Sequence, residues 1–140
     1  MSPADRGRVA ALDLGEARTG VAVSDPGGVI ASPLEVIPSG DLSNYLSRLV
    51  DEEGVYEVVV GVPRTLGGEV GFQARKVLSR LDALKKEFPG VRFVEWDERF
   101  TTRLAGSRGR KRGTERVDHL AAARMLQEYL GARGAFEAPR

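Results

Sequence analysis

The stretch "RVAALDLGEARTGVAVSD", residues 8–25, decides how the chain folds. Its first run, "RVAALDL" over 8–14, reads as a buried strand, and "GVAVSD" over 20–25 reads as a second strand with little polar alternation. The link between them, "GEAR", holds Gly15 and is short enough for a hairpin. The first run nevertheless carries an acid, Asp13, near its end, with Gly15 two residues later. Such an acid either caps an ordinary turn or stands where something cationic binds.

Working outward, "PGG" at 26–28 signals a turn, and "VIASPLEVI" at 29–37 reads as a third strand. Pro33 within it points to an edge position or a bulge. In "SGDLSNYLSRLVDEEG", Leu42, Tyr45, Leu46, Leu49 and Val50 fall at helical spacing, and Gly54 closes the segment. "EVVVGVP" at 57–63 reads as a central strand buried on both faces, as in a parallel sheet. "RTLGGEVG" is a loop, and "FQARKVLSRLDALKKEF" at 72–88 is an amphipathic helix. "VRFVEW" at 91–96 reads as a strand, and "DERFTTRLAG" turns into a short helix. "VDHLAAARMLQEYLGARG" forms the last helix, closed by Gly131, with a frayed tail over 132–140. The order β-β-β-α-β-α-β-α predicts one α/β domain over 1–140, its core at about 8–130. Its architecture is a mixed five-stranded sheet with helices on both faces.

Composition narrows the chemistry. The 140 residues suit one domain with a real core. Cysteine is absent and His119 is the single histidine, so thiolate and multi-histidine metal sites are excluded. A metal here needs oxygen ligands, which favours Mg²⁺ or Mn²⁺. No apolar run reaches about 18 residues and no signal-peptide pattern is present, so a cytoplasmic protein without membrane contact is expected. Net charge is only +1, yet "RLAGSRGRKRGTER" at 103–116 carries six basic residues and one acid. Such a cluster can grip phosphates even in a neutral protein, although basic loops are often merely solvated.

In the predicted sheet, Asp13 ends the first strand, Asp97 and Glu98 end the last, and Asp118 opens the final helix. The carboxyl ends of parallel strands are where open α/β sheets bind ligands. Carboxylates gathered there repel one another unless cations compensate, and divalent metal ions do so. Each acid also has a plainer reading: a turn cap for Asp13, pairing with Arg99 for Asp97 and Glu98, a complement to the helix dipole for Asp118. Gly15 and Gly20 would let a backbone or a substrate phosphate come close.

The segments "ALDLGEARTGVAVSD", "VVVGVPRTLGGEVGFQARKV", "VEWDERFTT" and "RVDHLAAARMLQEYL" together resemble the YqgF/RuvX family, the pre-16S ribosomal RNA nucleases, also described as Holliday-junction-resolvase-like. The resemblance covers roughly residues 8–130, with the motifs in the family's order. It implies a ribonuclease H-like fold and a metal-dependent nuclease acting on structured RNA or branched DNA. On that match the family's three acids fall on Asp13, Glu98 and Asp118, with Asp97 adjacent as a further candidate ligand. This strand departs from many relatives of the fold in ending "VVVGVP" without an acid. Arg18, Arg64 and Arg99, with Arg108, Arg110, Lys111 and Arg112 of the basic loop, are the candidates for holding phosphates, since the guanidinium fork matches phosphate oxygens. Precursor 16S rRNA is the expected substrate. A four-way DNA junction is the alternative, and a non-catalytic RNA-binding assembly factor is the reading from another class. "DLGEARTG" also resembles the phosphate loop of actin-like ATPases, which need two such domains. A monomer or weak homodimer is expected.

Overall fold

The computed structural model describes residues 7–63, 71–97 and 119–136, with side chains to Arg133. The described elements follow the expected order: β1 (Arg8–Leu14), β2 (Arg18–Ser24), β3 (Ala31–Pro38), a 3₁₀ turn (Ser39–Asp41), α1 (Leu42–Glu53), β4 (Val55–Val62), α2 (Phe72–Glu87), β5 (Arg92–Asp97) and α3 (His119–Phe136). The strands form one sheet in the order β3-β2-β1-β4-β5. β1–β2 and β2–β3 are antiparallel, whereas β1–β4 and β4–β5 are parallel, so the sheet is mixed, as expected. The short helix expected after Asp97 falls outside the described residues.

The helices divide between the two faces. Ala10, Leu12 and Leu14 of β1, with Val58, Val60 and Val62 of β4, pack under Leu42, Leu46 and Leu49 of α1 and Ala74, Val77, Leu81 and Leu84 of α2. Val9 and Ala11 of β1, Ala22 of β2 and Val59 of β4 pack under Ala122, Met125, Leu126 and Leu130 of α3. Successive strand residues alternate faces, so the twice-covered middles of β1 (residues 9–12) and β4 (residues 58–60) are apolar at every position. Among the described residues, no helix is long and apolar enough to cross a membrane.

Pro33 occupies the edge strand and also sits at an irregularity. Val21 pairs with Glu35 while the next residue, Ala22, pairs with Pro33, which leaves Leu34 as an extra residue. α1 ends on Gly54 in the left-handed conformation (φ 72°), whose N–H donates to the Leu49 carbonyl. Element ends shift from expectation in several places, mostly by one or two residues, and two of the differences have a visible cause. β2 starts at Arg18 rather than residue 20, because the Gly15 N–H donates to the Arg18 carbonyl at 2.9 Å and closes a tighter turn. α3 continues through Gly131 to Phe136 instead of stopping there. Tertiary contacts hold the extra turns: Arg133 Nη1 donates to Glu57 Oε1 at 2.9 Å and to the Tyr56 hydroxyl at 3.3 Å. A glycine costs only about 1 kcal/mol inside a helix, so such contacts override it.

Glu57 is the centre of that anchor. It is 3% exposed and pairs with Arg133 and with Arg92 (3.2 Å), while the Tyr129 hydroxyl donates to it at 3.0 Å. The Tyr129 hydroxyl is pushed up to about 12, first by burial and then by the Glu57 charge. Glu57→Ala should therefore cost about 3 kcal/mol, because Arg133 is left half-buried and unpaired. Thermal unfolding should report it as a fall of roughly 10 °C.

The β2–β3 turn has its own anchor. The Asp25 carboxylate accepts from the backbone N–H of Val29 and Ile30, both at 2.8 Å, and of Gly27 at 3.2 Å. The Ile30 N–H first, then that of Val29, hold the carboxyl below the usual range. A depressed folded pKa means that the stabilisation is complete above the unfolded value of about 4 and fades as pH falls through the folded one. Chemical denaturation of wild type and Asp25→Asn should therefore differ at pH 7, and the difference should shrink as pH falls below the unfolded value of about 4.

Candidate active site

Asp13 lies on the α3 face of β1, in step with Val9 and Ala11 and partly exposed. Its position at the carboxyl end of a central strand follows from the sheet order, and what surrounds it follows from register. Across the antiparallel ladder Asp13 faces Gly20 of β2. On the parallel side the last pair is Leu12–Val60, so the next residue of β4, Gly61, flanks Asp13. Both neighbours on this face lack side chains. No side chain from either neighbouring strand position therefore flanks the carboxylate, and a larger residue at 20 or 61 would project from the face that carries it. Gly61 pairs in turn with Trp96 of β5, whose ring meets Tyr129 of α3 edge to face at 5.8 Å between centroids and so closes that side of the α3 face.

The same alternation separates two neighbouring acids. Trp96 is on the α3 face, so Asp97, the next residue, is on the face of α1 and α2 beside Val62. Asp13 and Asp97 thus point to opposite sides of the sheet. The direction of α3 brings a third segment to the Asp13 edge. Its carboxyl half is fixed at the other end of the sheet: Arg133 on Glu57 and Tyr56, and Gln127 on the Ala31 N–H and Val29 carbonyl, both at 2.9 Å. Hence α3 runs antiparallel to β1, and its first turn, opened by His119, comes toward the end that carries Asp13. The Nδ1 atom of His119 is buried without a hydrogen-bond partner among the described residues.

The β1–β2 turn that follows Asp13 is held from two sides. The Gly15 carbonyl accepts from the Ser39 hydroxyl at 2.8 Å and from Arg80 Nη1 of α2 at 2.6 Å. The Ser39 N–H donates to the Ala17 carbonyl at 2.8 Å, and the Ser39 and Thr19 hydroxyls are 2.9 Å apart. Glu16 is ion-paired with Lys76 of α2, and that hydrogen bond is the main reason its carboxyl lies below the ordinary range. Gly15, expected to let a backbone or a substrate phosphate come close, has its carbonyl held by Ser39 and Arg80. Arg18 opens β2 with an exposed side chain.

Sequence reasoning identified Asp13, Arg18 and Gly20 here but missed Gly61, Ser39, Lys76 and Arg80. Gly61 had a signal, since a glycine inside "VVVGV" is costly in a strand unless something must approach it. The other three are distant in sequence, and only packing joins them to the turn. Arg64, Glu98, Arg99, Arg108, Arg110, Lys111, Arg112 and Asp118 lie outside the described residues. Among the described residues no group of three or more His, Asp or Glu side chains could hold a metal ion.

Comparison with known proteins agrees with the geometry. The family model for RuvX, Holliday junction resolvase, matches residues 7–132. A protein of Rubrobacter xylanophilus named as a pre-16S rRNA nuclease is 64% identical over 138 residues, covering 96% of this chain and 99% of its own. One from Desulforudis audaxviator with the same name is 42% identical, covering 90% and 95%. Among solved structures, RuvC of T. thermophilus in complex with a Holliday junction substrate superposes with a TM-score of 0.56 at 18% identity, covering 92% of this chain and 96% of that one. At that identity the likeness concerns the fold, which is ribonuclease H-like.

The tethers on the turn have a measurable consequence. Arg80→Ala removes a charged donor from the Gly15 carbonyl, a loss of about 1–2 kcal/mol. Amide exchange at residues 15–18 should accelerate by roughly tenfold relative to the Glu57 region, as hydrogen exchange followed by mass spectrometry would show.

Proposed function

The chain belongs to the RuvX family, and from that premise we propose that it hydrolyses phosphodiester bonds in the precursor of 16S rRNA with the help of divalent metal ions. The observation that carries this reading is Asp13, which stands at the end of a doubly buried strand between two glycines. A carboxylate in that place, flanked by strand positions without side chains, is a ligand suited to a hard cation and lets a phosphate backbone come close. The identity of the donors fits a hard ion, since the chain has no cysteine and one histidine.

Asp13, Glu98 and Asp118 are the residues that would hold Mg²⁺ or Mn²⁺. The parity of β5 supports Glu98 over Asp97, because Asp97 faces away from Asp13. The course of α3 supports Asp118, which immediately precedes the turn that comes to this edge. Bound at such a site, a divalent ion supplies a more acidic water and neutralises charge on the departing oxygen. The rest of the work falls to the chain. Asp13 is oriented by a strand that cannot shift without disturbing both cores. The tethered β1–β2 turn holds Arg18 at the rim, where it meets a flanking phosphate. Arg64, Arg99, Arg108, Arg110, Lys111 and Arg112 would add backbone grip, which makes binding depend on salt and only weakly on sequence. The support for RNA as substrate is the name carried by the relative at 64% identity. One protomer suffices for a single cut; a four-way junction needs two.

Asp13→Asn removes the charge and keeps the shape. It should reduce cleavage of a labelled precursor 16S rRNA fragment in Mg²⁺ or Mn²⁺ by at least about a thousandfold, with no loss of thermal stability. Wild-type cleavage of a synthetic four-way junction in preference to that RNA would move the substrate to DNA. Equal RNA binding by both proteins, with no cleavage by either, would leave a binding factor.

A further inference from the structure

Among the described residues the exposed large hydrophobic side chains are Val29, Ile30, Leu34, Phe72 and Leu120, and Phe72 is the one aromatic. It is the first residue of α2 and 66% exposed. One turn further on, Lys76 Nζ sits 4.8 Å from the centre of its ring and is also paired with Glu16. Glu16 is three residues beyond Asp13, and Arg80, one turn beyond Lys76, holds the Gly15 carbonyl. The head of α2 is thereby fastened to the turn that leaves Asp13, and Phe72 is presented from that fastened head.

The charge around the ring runs against the helix's own electrostatics. A helix N-terminus is positive, so acids stabilise its first turn and cations do not. The first turn of α2 has no acid, and Arg75, Lys76 and Arg80 come before its first acid, Asp82. This arrangement costs stability, and with Glu16 paired to Lys76 it still leaves the stretch with a net positive charge beside an exposed ring. An exposed aliphatic patch needs a shaped apolar partner. A lone ring among cations matches a nucleic-acid strand, whose bases offer a π face and whose backbone offers phosphates.

We propose that Phe72 is a stacking platform for an unpaired base of the nucleic-acid substrate, with Arg75 meeting a phosphate of the same strand. The platform adds local single-strandedness to what the enzyme recognises beside its cleavage site. The proposal rests on the chain acting on nucleic acid, and it accounts for base contact that the arginines alone do not provide. Because Phe72 is exposed, its truncation leaves both cores intact.

Binding is measured in the full chain carrying Asp13→Asn, using a single-stranded RNA oligonucleotide with 2-aminopurine at one position and, separately, a fully paired RNA duplex. Phe72→Ala should weaken single-strand binding about tenfold and remove the change in 2-aminopurine fluorescence, with duplex affinity unchanged. Phe72→Trp should restore both, and the salt dependence should stay the same in each. Arg75→Ala should lower the slope of affinity against salt by about one. Thermal unfolding of Phe72→Ala should stay within about 2 °C of its parent. If Phe72→Ala binds single strands within about twofold of its parent and keeps the fluorescence change, the platform is overturned. Cleavage by the chain with Asp13 intact reports separately on the nuclease: activity that survives Phe72→Ala unchanged leaves that reading standing while the platform falls. Absence of cleavage with Phe72-dependent binding retained overturns the nuclease alone.

Discussion

The structure depends on β1 being covered twice. Its even-numbered residues lie under α1 and α2 and its odd-numbered residues under α3, so each of its two faces belongs to a different core. A strand in that position cannot slip by one residue, because every side chain would then exchange cores. This rigidity suits an acid at its carboxyl end. Asp13 is carried on a backbone packed on both faces, which holds it at the edge. On the α3 face its neighbours in register, Gly20 and Gly61, carry no side chains.

A second constraint acts through the ends of α3. At its carboxyl end, Arg133 and Tyr129 converge on buried Glu57 at the start of β4. That network lies at the far end of the sheet from Asp13, yet it sets the direction and the register of the helix. A buried ion pair is a weak source of net stability and a strong source of specificity where, as here, removing one partner strands the other. The helix start is delivered to the Asp13 edge by contacts at the opposite pole. The turn after Asp13 is governed in the same indirect way, since Arg80 and Lys76 of α2 hold it from the other face of the sheet.

Much of the fold was legible in the sequence. The hairpin at 8–25, the doubly buried strand around "VVVGV", the edge position of Pro33 and the two amphipathic helices all follow from local pattern. The end of α3 was not legible, because Gly131 is a local stop signal that Glu57 overrides from a distance. The start of β2 was missed for a similar reason, since one backbone bond from Gly15 decides it. At the site, Asp13 stood out because an acid in an apolar run needs a reason. That Ser39 and Arg80 hold the Gly15 carbonyl was not legible, because both lie far from it in the chain.

By itself the sequence determined the element order, the double burial of β1 and β4, the absence of soft metal ligands and the acid at the strand end. These rest on side-chain period, composition and single-residue chemistry, which need no neighbours. Only the tertiary structure decided which residues stand beside Asp13. Register set Gly20 and Gly61 on its flanks, strand parity sent Asp97 to the other face, and packing brought α2 to the turn with Phe72 at its head. The reason is physical. Periodicity fixes which way a residue points along its own element, whereas the neighbours it meets depend on pairings closed by residues distant in the chain.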